Sequence, residues 1–372
     1  MNTQTDEFDS AIIGGGIAGL SLADELISRN QTVVLIDRAQ PGSGSSGAPL
    51  VLINPATGMR ARMIPDAEDS FLAIRELLER VQQFSGKMIF TENGILRPAL
   101  DPDLAENFSR SPSKYAWPDE SWVQWIDEPD FTQKYPWFGQ TFGGLVISRG
   151  ITVNTPEYLT EFSRYLQSLG LATFFHQTAN LTESDDTGII RVRLSEGKTI
   201  STKRVIHATG SSFTENPKWD FLPARKTKGQ LIDLTFESPL DLHESISSMG
   251  YFAFMPSTPR KLVVGSTYER GYNSLETTTE GKLKLYKKLN KTLPGIISRP
   301  HSVKQWSGER VSMKDHGPAL GRHPSHKNEY LFSGLGSKGM IRGRYLAKQM
   351  ADFIMTDQPL NPDTNISRFP LS

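Results

Sequence analysis

The 372-residue chain contains no cysteine. That absence excludes disulfides, thiolate metal sites, a cysteine nucleophile and a thioether-linked cofactor. No apolar run approaches the roughly 20 residues that a membrane-spanning helix needs, so we expect no membrane span. Residues 11–23 are apolar enough to imitate the core of a signal peptide, but acidic rather than basic residues precede them. We therefore predict a cytoplasmic protein without a signal peptide.

The chain also lacks a charge imbalance, since its 41 basic residues equal its 41 acidic residues. Nothing global therefore predicts attraction to nucleic acid or to an anionic membrane. Histidines are few, and the one H-x-x-H spacing, His323 to His326, contains Pro324 and has no acidic neighbours, so we predict no metal site. The length exceeds what one compact core usually holds, and two domains are expected.

Residues 8–37 contain the most informative pattern: a short apolar run, a glycine turn, a helical pattern, a second apolar run and an acid. Such a unit binds a dinucleotide, because the glycines let the backbone approach a pyrophosphate at a helix N-terminus. The terminal acid can accept hydrogen bonds from ribose hydroxyls. The residues predicted to bind the dinucleotide here are Gly14, Gly16, Ile17, Ala18, Gly19, Asp37 and Arg38.

The glycine spacing recurs twice, at residues 42–47 and 334–339, without the full strand, helix and acid context. The first recurrence lies in a Ser/Gly-rich loop. That loop is either a flexible surface segment or a cover laid over the cofactor, close to the carboxyl end of a strand. The second alternative assigns Gly44, Ser45 and Ser46 to cofactor binding.

Two later stretches also end strands with small residues. Residues 203–210 run into Ala208-Thr209-Gly210, which resembles a strand returning beneath the cofactor, and this predicts Thr209 and Gly210 as contacts. Residues 329–356 read as strand, glycine turn and long helix, with no second strand and acid after them. A helix N-terminus suits the negative charge of a reduced flavin better than a nicotinamide. The predicted contacts in this turn are Gly334, Gly336, Ser337, Lys338, Gly339 and Met340.

The intervening chain predicts a second structural unit. Residues 66–84 have an amphipathic helical pattern, and residues 228–236, 251–256 and 261–266 read as strands of an antiparallel sheet. Residues 88–98 predict a β-hairpin that turns at residues 92–94.

Taken in order, these motifs resemble those of the D-amino-acid oxidase (DAO) family of flavoproteins, which includes glycine oxidase and the oxidase domain of the enzyme that modifies the tRNA wobble uridine. The motifs that carry the resemblance are residues 14–19 with Asp37, 42–47, 208–210, 264–267, 306–310 and 334–340. The resemblance implies FAD, and the lack of cysteine, and of histidine in the loop after Asp37, indicates that it is noncovalent. It implies hydride transfer from the carbon that bears an amine to flavin N5, with oxygen or another molecule as the electron acceptor.

The same resemblance implies the fold, α/β plus α+β. A Rossmann-like FAD-binding domain is expected from residues 1–60, 145–222 and 305–372. A mainly antiparallel substrate domain is expected from residues 61–144 and 223–304.

Four residues are candidates for catalysis. Arg310 matches the position where glycine oxidase holds the substrate carboxylate, and a guanidinium can grip a carboxylate with two hydrogen bonds; a structural ion pair is the alternative. Tyr251 lies two residues before the position of the family's tyrosine, so its contact with substrate is open. Lys338 can meet flavin, substrate or water. His316 is a candidate because it lies beside Asp315 and near Arg310 in sequence.

We therefore predict an FAD-dependent amine oxidase or dehydrogenase that acts on a small amino acid or secondary amine. Three alternatives remain open: oxidation of a modified tRNA wobble uridine, a 2-hydroxy-acid or glycerol-phosphate dehydrogenase on the same fold, and a flavoprotein without turnover. The zero net charge disfavours tRNA as a partner.

Overall fold

A six-stranded sheet carries the predicted nucleotide-binding unit. The structure is a computed structural model that describes residues 6–184, 188–294 and 300–370. In spatial order the strands of this parallel sheet are Ala172–His176, Val33–Asp37, Ser10–Ile13, Val205–His207, Glu329–Ser333 and Ala319–Arg322. Neighbouring strands are parallel except for the last pair, which is antiparallel. The carboxyl ends of the parallel strands therefore meet at one edge, where ligands bind in such sheets.

Helices cover the parallel sheet and bury apolar stripes against it. Helix Ile17–Ile27 packs against helix Gly339–Thr356, which also contacts helix Ala67–Ser85. The predicted helix at residues 66–84 is confirmed, and its buried stripe recurs at helical spacing. The other described helices are Pro102–Ser109, Ser111–Lys114, Glu128–Lys134, Thr155–Ser168 and Thr279–Thr292, with 3-10 helices at Ser45–Gly47, Gly210–Glu215, Pro217–Trp219 and Ile366–Arg368.

A second sheet of eight strands forms the other half of the fold. Its spatial order is Ser302–Met313, Ala224–Thr235, Lys261–Gly265, Tyr251–Ala253, Ser245–Ser247, Ile95–Pro98, Gly144–Ile147 and Gln124–Ile126. All of its pairings are antiparallel except that of Ser245–Ser247 with Ile95–Pro98. Helix Thr279–Thr292 packs on one face of this sheet. The predicted fold class, a Rossmann-like part with a mainly antiparallel second part, is confirmed.

Smaller sheets complete the described chain. One has the strands Asp6–Phe8, Thr199–Thr202, Ile190–Leu194 and Ala179–Ser184; another has Val51–Ile53, Ile151–Val153 and Phe90–Thr91; a third pairs Ala56–Thr57 with Arg62–Met63. The predicted hairpin at residues 88–98 is wrong. Its two strands, Phe90–Thr91 and Ile95–Pro98, pair with separate partners in different sheets.

The predicted domain boundaries stay a prediction. The eight-stranded sheet takes strands from both substrate-domain ranges, and two of its strands, Gly144–Ile147 and Ser302–Met313, cross the expected borders at residues 144 and 304. In the described parts of the chain, no helix has the length and apolarity to cross a membrane. Across the same residues, no three His, Cys, Asp or Glu side chains are grouped as metal ligands.

Candidate cofactor and substrate site

The glycine turn after strand Ser10–Ile13 brings the backbone unusually close to its neighbours. Gly14 has a φ of +112°, and a Cβ at this position would lie 2.3 Å from the carbonyl oxygen of Ala208. A Cβ at Gly19 would lie 1.9 Å from the carbonyl oxygen of Gly14. Only glycine fits at both positions, so the chain can turn directly into helix Ile17–Ile27.

The N-terminus of that helix is open to an anion. Its N-cap is Gly16, which offers no side-chain cap, and no acidic side chain lies in the first turn, which contains Ile17, Ala18 and Gly19. The helix dipole favours a negatively charged group at this end. Asp37 lies beside the turn, where one carboxylate oxygen accepts a hydrogen bond of 2.6 Å from the amide of Gly15. Arg38 is exposed.

The Ser/Gly-rich loop is packed between the two sheets. Ser46 accepts a hydrogen bond of 3.2 Å from the amide of Ile17. A Cβ at Gly308, in the eight-stranded sheet, would lie 3.1 Å from the Cα of Ser45. The loop therefore connects the helix N-terminus with the eight-stranded sheet. Its role as a cover over the cofactor stays a prediction. Gly44, with nothing within 4 Å of an added Cβ, begins its 3-10 turn.

Two further strand ends reach the same edge of the parallel sheet. The hydroxyl of Thr209 is buried and has no hydrogen-bond partner among the described residues. The carbonyl of Gly210 accepts a hydrogen bond of 2.9 Å from Ser333, whose strand leads into Gly334. The predicted segments around Thr209 and Gly334 are thus adjacent in space.

The tail turn places a second helix N-terminus nearby. Gly334 has a φ of +73°, and the amide of Gly336 donates a hydrogen bond of 3.0 Å to the carbonyl of Val311. Helix Gly339–Thr356 then begins, with Lys338 as an N-cap that makes no side-chain cap. Ser337 is exposed and Met340 is buried.

The side chain of Lys338 lies among other cations. Burial lowers its pKa, and so do the nearby charges of Arg342 and Arg62. Among these three cations, Arg342 has an acidic neighbour, Asp66, at 3.6 Å. Excess positive charge at a helix N-terminus favours an anionic ligand.

These features fit FAD. The backbone approaches so closely at Gly14 and Gly19 that only glycine fits there, and the Thr209 hydroxyl lacks a partner among the described residues. Neither N-cap residue, Gly16 or Lys338, caps its helix with a side chain. The first helix N-terminus and Ser46 would hold the pyrophosphate, Asp37 the ribose, and the turn at residues 334–340 the flavin ring.

One face of the eight-stranded sheet looks toward the Ser/Gly-rich loop. Register places Arg310 opposite Thr227, and Trp306 opposite Leu231, in strands whose facing residues share a side. Leu231 packs in one apolar cluster with Leu50 and, at its edge, Tyr251. The structure therefore brings Tyr251 and Arg310 to the face that meets the predicted cofactor loop.

The guanidinium of Arg310 contacts neutral groups. It donates hydrogen bonds of 3.2 Å to the Ser266 hydroxyl and to the Thr267 carbonyl, and its Cζ lies 4.6 Å from the ring centroid of Tyr268. Within the described ranges of the chain, no Asp or Glu lies at ion-pair distance from it. The alternative of a structural ion pair thus finds no partner here. Gly229 leaves room for the guanidinium, since an added Cβ would lie 2.4 Å from its Nη2.

Tyr251 is held within the fold rather than aimed freely at a substrate. Its hydroxyl donates a hydrogen bond of 3.3 Å to the carbonyl of Leu50. Burial raises the pKa of Tyr251, and the charge of Arg310 partly offsets this rise. The phenol is therefore neutral at physiological pH.

His316 differs from Arg310 and Tyr251 in its surroundings. It is exposed in the turn after strand Ser302–Met313, with a φ of +63°. The neighbouring Asp315 forms a bidentate ion pair with Arg368, with hydrogen bonds of 2.8 and 3.3 Å, instead of orienting the imidazole of His316. A role for His316 in catalysis stays a prediction, and no contact of its side chain supports it.

Sequence reasoning missed three residues around Arg310. Tyr268 covers the guanidinium, and the Ser266 hydroxyl accepts a hydrogen bond from it. Lys288, in helix Thr279–Thr292, donates a hydrogen bond of 2.8 Å to the Ser266 carbonyl. Ser266 ends the strand that the sequence predicted at residues 261–266, and Tyr268 follows it by two residues. No motif marks Lys288, which looks like an ordinary surface lysine in the sequence.

Comparisons with known proteins find relatives that match nearly the whole chain. Glycine oxidase from Geobacillus kaustophilus is 22% identical over 363 residues, covering 94% of this chain and 93% of that protein. The tRNA 5-methylaminomethyl-2-thiouridine biosynthesis bifunctional protein MnmC of Shewanella amazonensis is 24% identical over 391 residues. The match covers 95% of this chain but only 57% of MnmC.

Solved structures share the fold. The crystal structure of the Geobacillus glycine oxidase superposes with a TM-score of 0.84 at 20% identity, covering 99% of both chains. Iminodiacetate oxidase from Chelativorans sp. BNC1 gives a TM-score of 0.77 at 21% identity, covering 97% of this chain and 98% of that one.

The family model of the FAD-dependent oxidoreductases called DAO matches residues 9–353. This match confirms the family that the motifs predicted. It also confirms that the protein is an oxidoreductase and that FAD is the cofactor of its family. Since the match spans most of the 372 residues, the chain belongs to the DAO family of FAD-dependent oxidoreductases.

Proposed function

We propose that this protein oxidises the C–N bond of a small amino acid or secondary amine, with noncovalently bound FAD. The observation that carries the proposal is Arg310, a half-buried guanidinium on the sheet face that meets the cofactor loop, with no carboxylate partner among the described residues. A buried cation without a counter-charge favours an anionic ligand. A substrate carboxylate supplies that charge.

The residues of the chain have mainly positioning roles in this proposal. Arg310 holds the carboxylate with two parallel hydrogen bonds and so fixes the direction of the carbon that bears the amine. Tyr268 covers the guanidinium and limits the access of water to it. Tyr251 forms part of the wall of the substrate site. Bound FAD supplies the hydride acceptor, and the substrate leaves as an imine that water hydrolyses.

Lys338 and the N-terminus of helix Gly339–Thr356 serve the cofactor side of the site. The helix dipole and the neighbouring cations together provide a positive potential. We assign this potential to the flavin ring, where it would favour uptake of negative charge. The electron acceptor is oxygen or another molecule.

A second candidate function is the oxidation of a modified tRNA uridine, which the similarity to MnmC supports. The zero net charge of the chain gives it no global attraction to RNA. Filter binding with bulk tRNA at low and moderate salt separates the two functions, because phosphate contacts give a steep salt dependence.

Arg310→Met tests the role of the guanidinium. We expect the variant to keep its FAD, and kcat/KM for a carboxylate-bearing amine to fall by about 100-fold, because truncating a charge that grips a charge costs several kcal/mol. Arg225→Met is the matched control, since Arg225 lies exposed on the neighbouring strand. An unchanged KM in Arg310→Met would show that Arg310 does not bind the substrate carboxylate.

A further inference from the structure

A second cation, Lys288, reaches the residue that Arg310 contacts. The ammonium of Lys288 donates a hydrogen bond of 2.8 Å to the backbone carbonyl of Ser266, and the guanidinium of Arg310 donates 3.2 Å to the hydroxyl of the same residue. The two positive charges therefore converge on one residue at the end of strand Lys261–Gly265.

The packing of helix Thr279–Thr292 on the sheet directs the side chain of Lys288 past Gly250. Helix Thr279–Thr292 buries Leu285 and Leu289 against the sheet, and Lys288 precedes the second of them. A Cβ at Gly250 would lie 3.3 Å from the Cδ of Lys288. The lysine stem thus passes beside Gly250, and the half-buried side chain reaches the backbone of Ser266.

Neither cation has an acidic partner among the residues that the structure describes. Glu309, which precedes Arg310, and Glu269, which follows Ser266 by three residues, are already engaged. Glu269 accepts from Thr267 at 2.6 Å and from Gln230 at 2.7 Å, and Glu309 accepts from Tyr272 and lies 3.3 Å from Lys226.

The electrostatics of Lys288 agree with a missing anion. Burial lowers its pKa, and the charge of Arg310 lowers it further, with no acid acting in the opposite direction. Two like charges held this close repel each other unless an anion lies between them. A monocarboxylate held by Arg310 alone leaves the charge of Lys288 uncompensated, whereas a ligand with two carboxylates supplies one to each cation.

We propose that Lys288 is a specificity-determining residue, and that Arg310 and Lys288 together bind an amine substrate bearing two acidic groups. Arg310 takes one carboxylate and Lys288 takes the other. This assignment rests on the proposed amine oxidation, because it names the substrate class of that same site.

Binding to the FAD-loaded protein tests the assignment without turnover. Thiodiacetate carries two carboxylates around a sulfur, and (methylthio)acetate carries one; neither contains the N–H needed to form an imine. In isothermal titration calorimetry, we expect wild type to bind thiodiacetate about tenfold more tightly than (methylthio)acetate, as for one charge-assisted hydrogen bond. Lys288→Met abolishes that preference and leaves (methylthio)acetate binding within about twofold, whereas Lys288→Arg retains it.

Lys287→Met is the matched control, because Lys287 is the exposed neighbour on the same helix. It is expected to keep the wild-type preference. Equal binding of the two ligands by wild type, absence of binding by either, or a preference that survives in Lys288→Met would overturn the inference. Amine oxidation is judged separately: flavin bleaching by sarcosine in a protein without dicarboxylate preference removes the second carboxylate site alone.

Discussion

The amide of Ile17 donates a hydrogen bond of 3.2 Å to the hydroxyl of Ser46. This bond joins the first turn of the nucleotide-binding helix to a loop 29 residues further along the chain. The two segments that the sequence assigned to the cofactor are therefore in direct contact. Gly16, which precedes Ile17, lies at this contact.

Gly16→Leu is expected to weaken FAD binding strongly. A Cβ at Gly16 would already lie 3.0 Å from the Ser46 hydroxyl, so a branched side chain would fill the space above the helix N-terminus. We expect the Kd for FAD to rise by about 100-fold, which corresponds to an overpacking cost of nearly 3 kcal/mol. The measurement is the ratio of FAD to protein after purification, with Gly16→Ala as the milder variant. A Gly16→Leu protein that retained full FAD would contradict this assignment.

Gly229→Ala is expected to impair substrate binding and leave FAD in place. The added methyl group would lie 2.4 Å from Nη2 of Arg310, so the guanidinium must move from its hydrogen bonds with Ser266 and Thr267. A displacement of this kind costs about tenfold in kcat/KM through KM. Steady-state kinetics with FAD content as the internal control measures it; an unchanged KM would show that the guanidinium position is irrelevant to binding.

The Glu329 carboxylate makes stability depend on pH. Burial raises the pKa of Glu329, but hydrogen bonds from His207 and Lys218 outweigh this effect and lower the pKa from 4.5 to about 2. Since the folded-state pKa lies below the unfolded value, the carboxylate stabilises the fold fully above about pH 4.5 and loses this contribution as the pH falls toward 2.

We therefore expect the stability advantage of wild type over Glu329→Gln to be constant near neutral pH. It should shrink by about 2 kcal/mol between roughly pH 5 and pH 3. Urea unfolding at several pH values measures the difference. Glu237→Gln, at an exposed position, is the control and should show no such change. An advantage that is independent of pH would refute the linkage.

The nucleotide unit was predictable because its determinants are local. The glycine spacing of residues 14–19 and the acid at residue 37 specify a tight turn and a nearby carboxylate, and the structure places Asp37 on the amide of Gly15. The long helices were equally accessible from periodicity. Arg310, in contrast, was identified by resemblance. That it has no carboxylate partner among the residues described by the structure could be seen only from its three-dimensional surroundings.

The hairpin at residues 88–98 fails for a physical reason. Its turn residues are suitable, but strand pairing is decided by which partner completes a buried sheet. Phe90–Thr91 pairs with Ile151–Val153, and Ile95–Pro98 pairs with Gly144–Ile147. These partners lie about sixty and about fifty residues away along the chain, so no local pattern identifies them.

Lys288 was not predictable from sequence. It is one of five lysines in helix Thr279–Thr292 and follows another lysine directly, which is the composition of a solvated helix face. Its contact with Ser266 depends on the packing of the helix beside Gly250 and on the end of a strand. The fold sets these relationships, and the lysine itself carries no signal.

Anaerobic mixing of the FAD-loaded protein with glycine, sarcosine, iminodiacetate, D-amino acids and 2-hydroxy acids tests the proposed function most directly. The visible absorbance band of oxidised flavin reports hydride transfer. We expect at least one carboxylate-bearing amine to bleach the band and the matching 2-hydroxy acid to leave it unchanged, and readmitted air then distinguishes an oxidase from a dehydrogenase. Bleaching by 2-hydroxy acids alone, or a purified protein that takes up no FAD, would contradict the proposal.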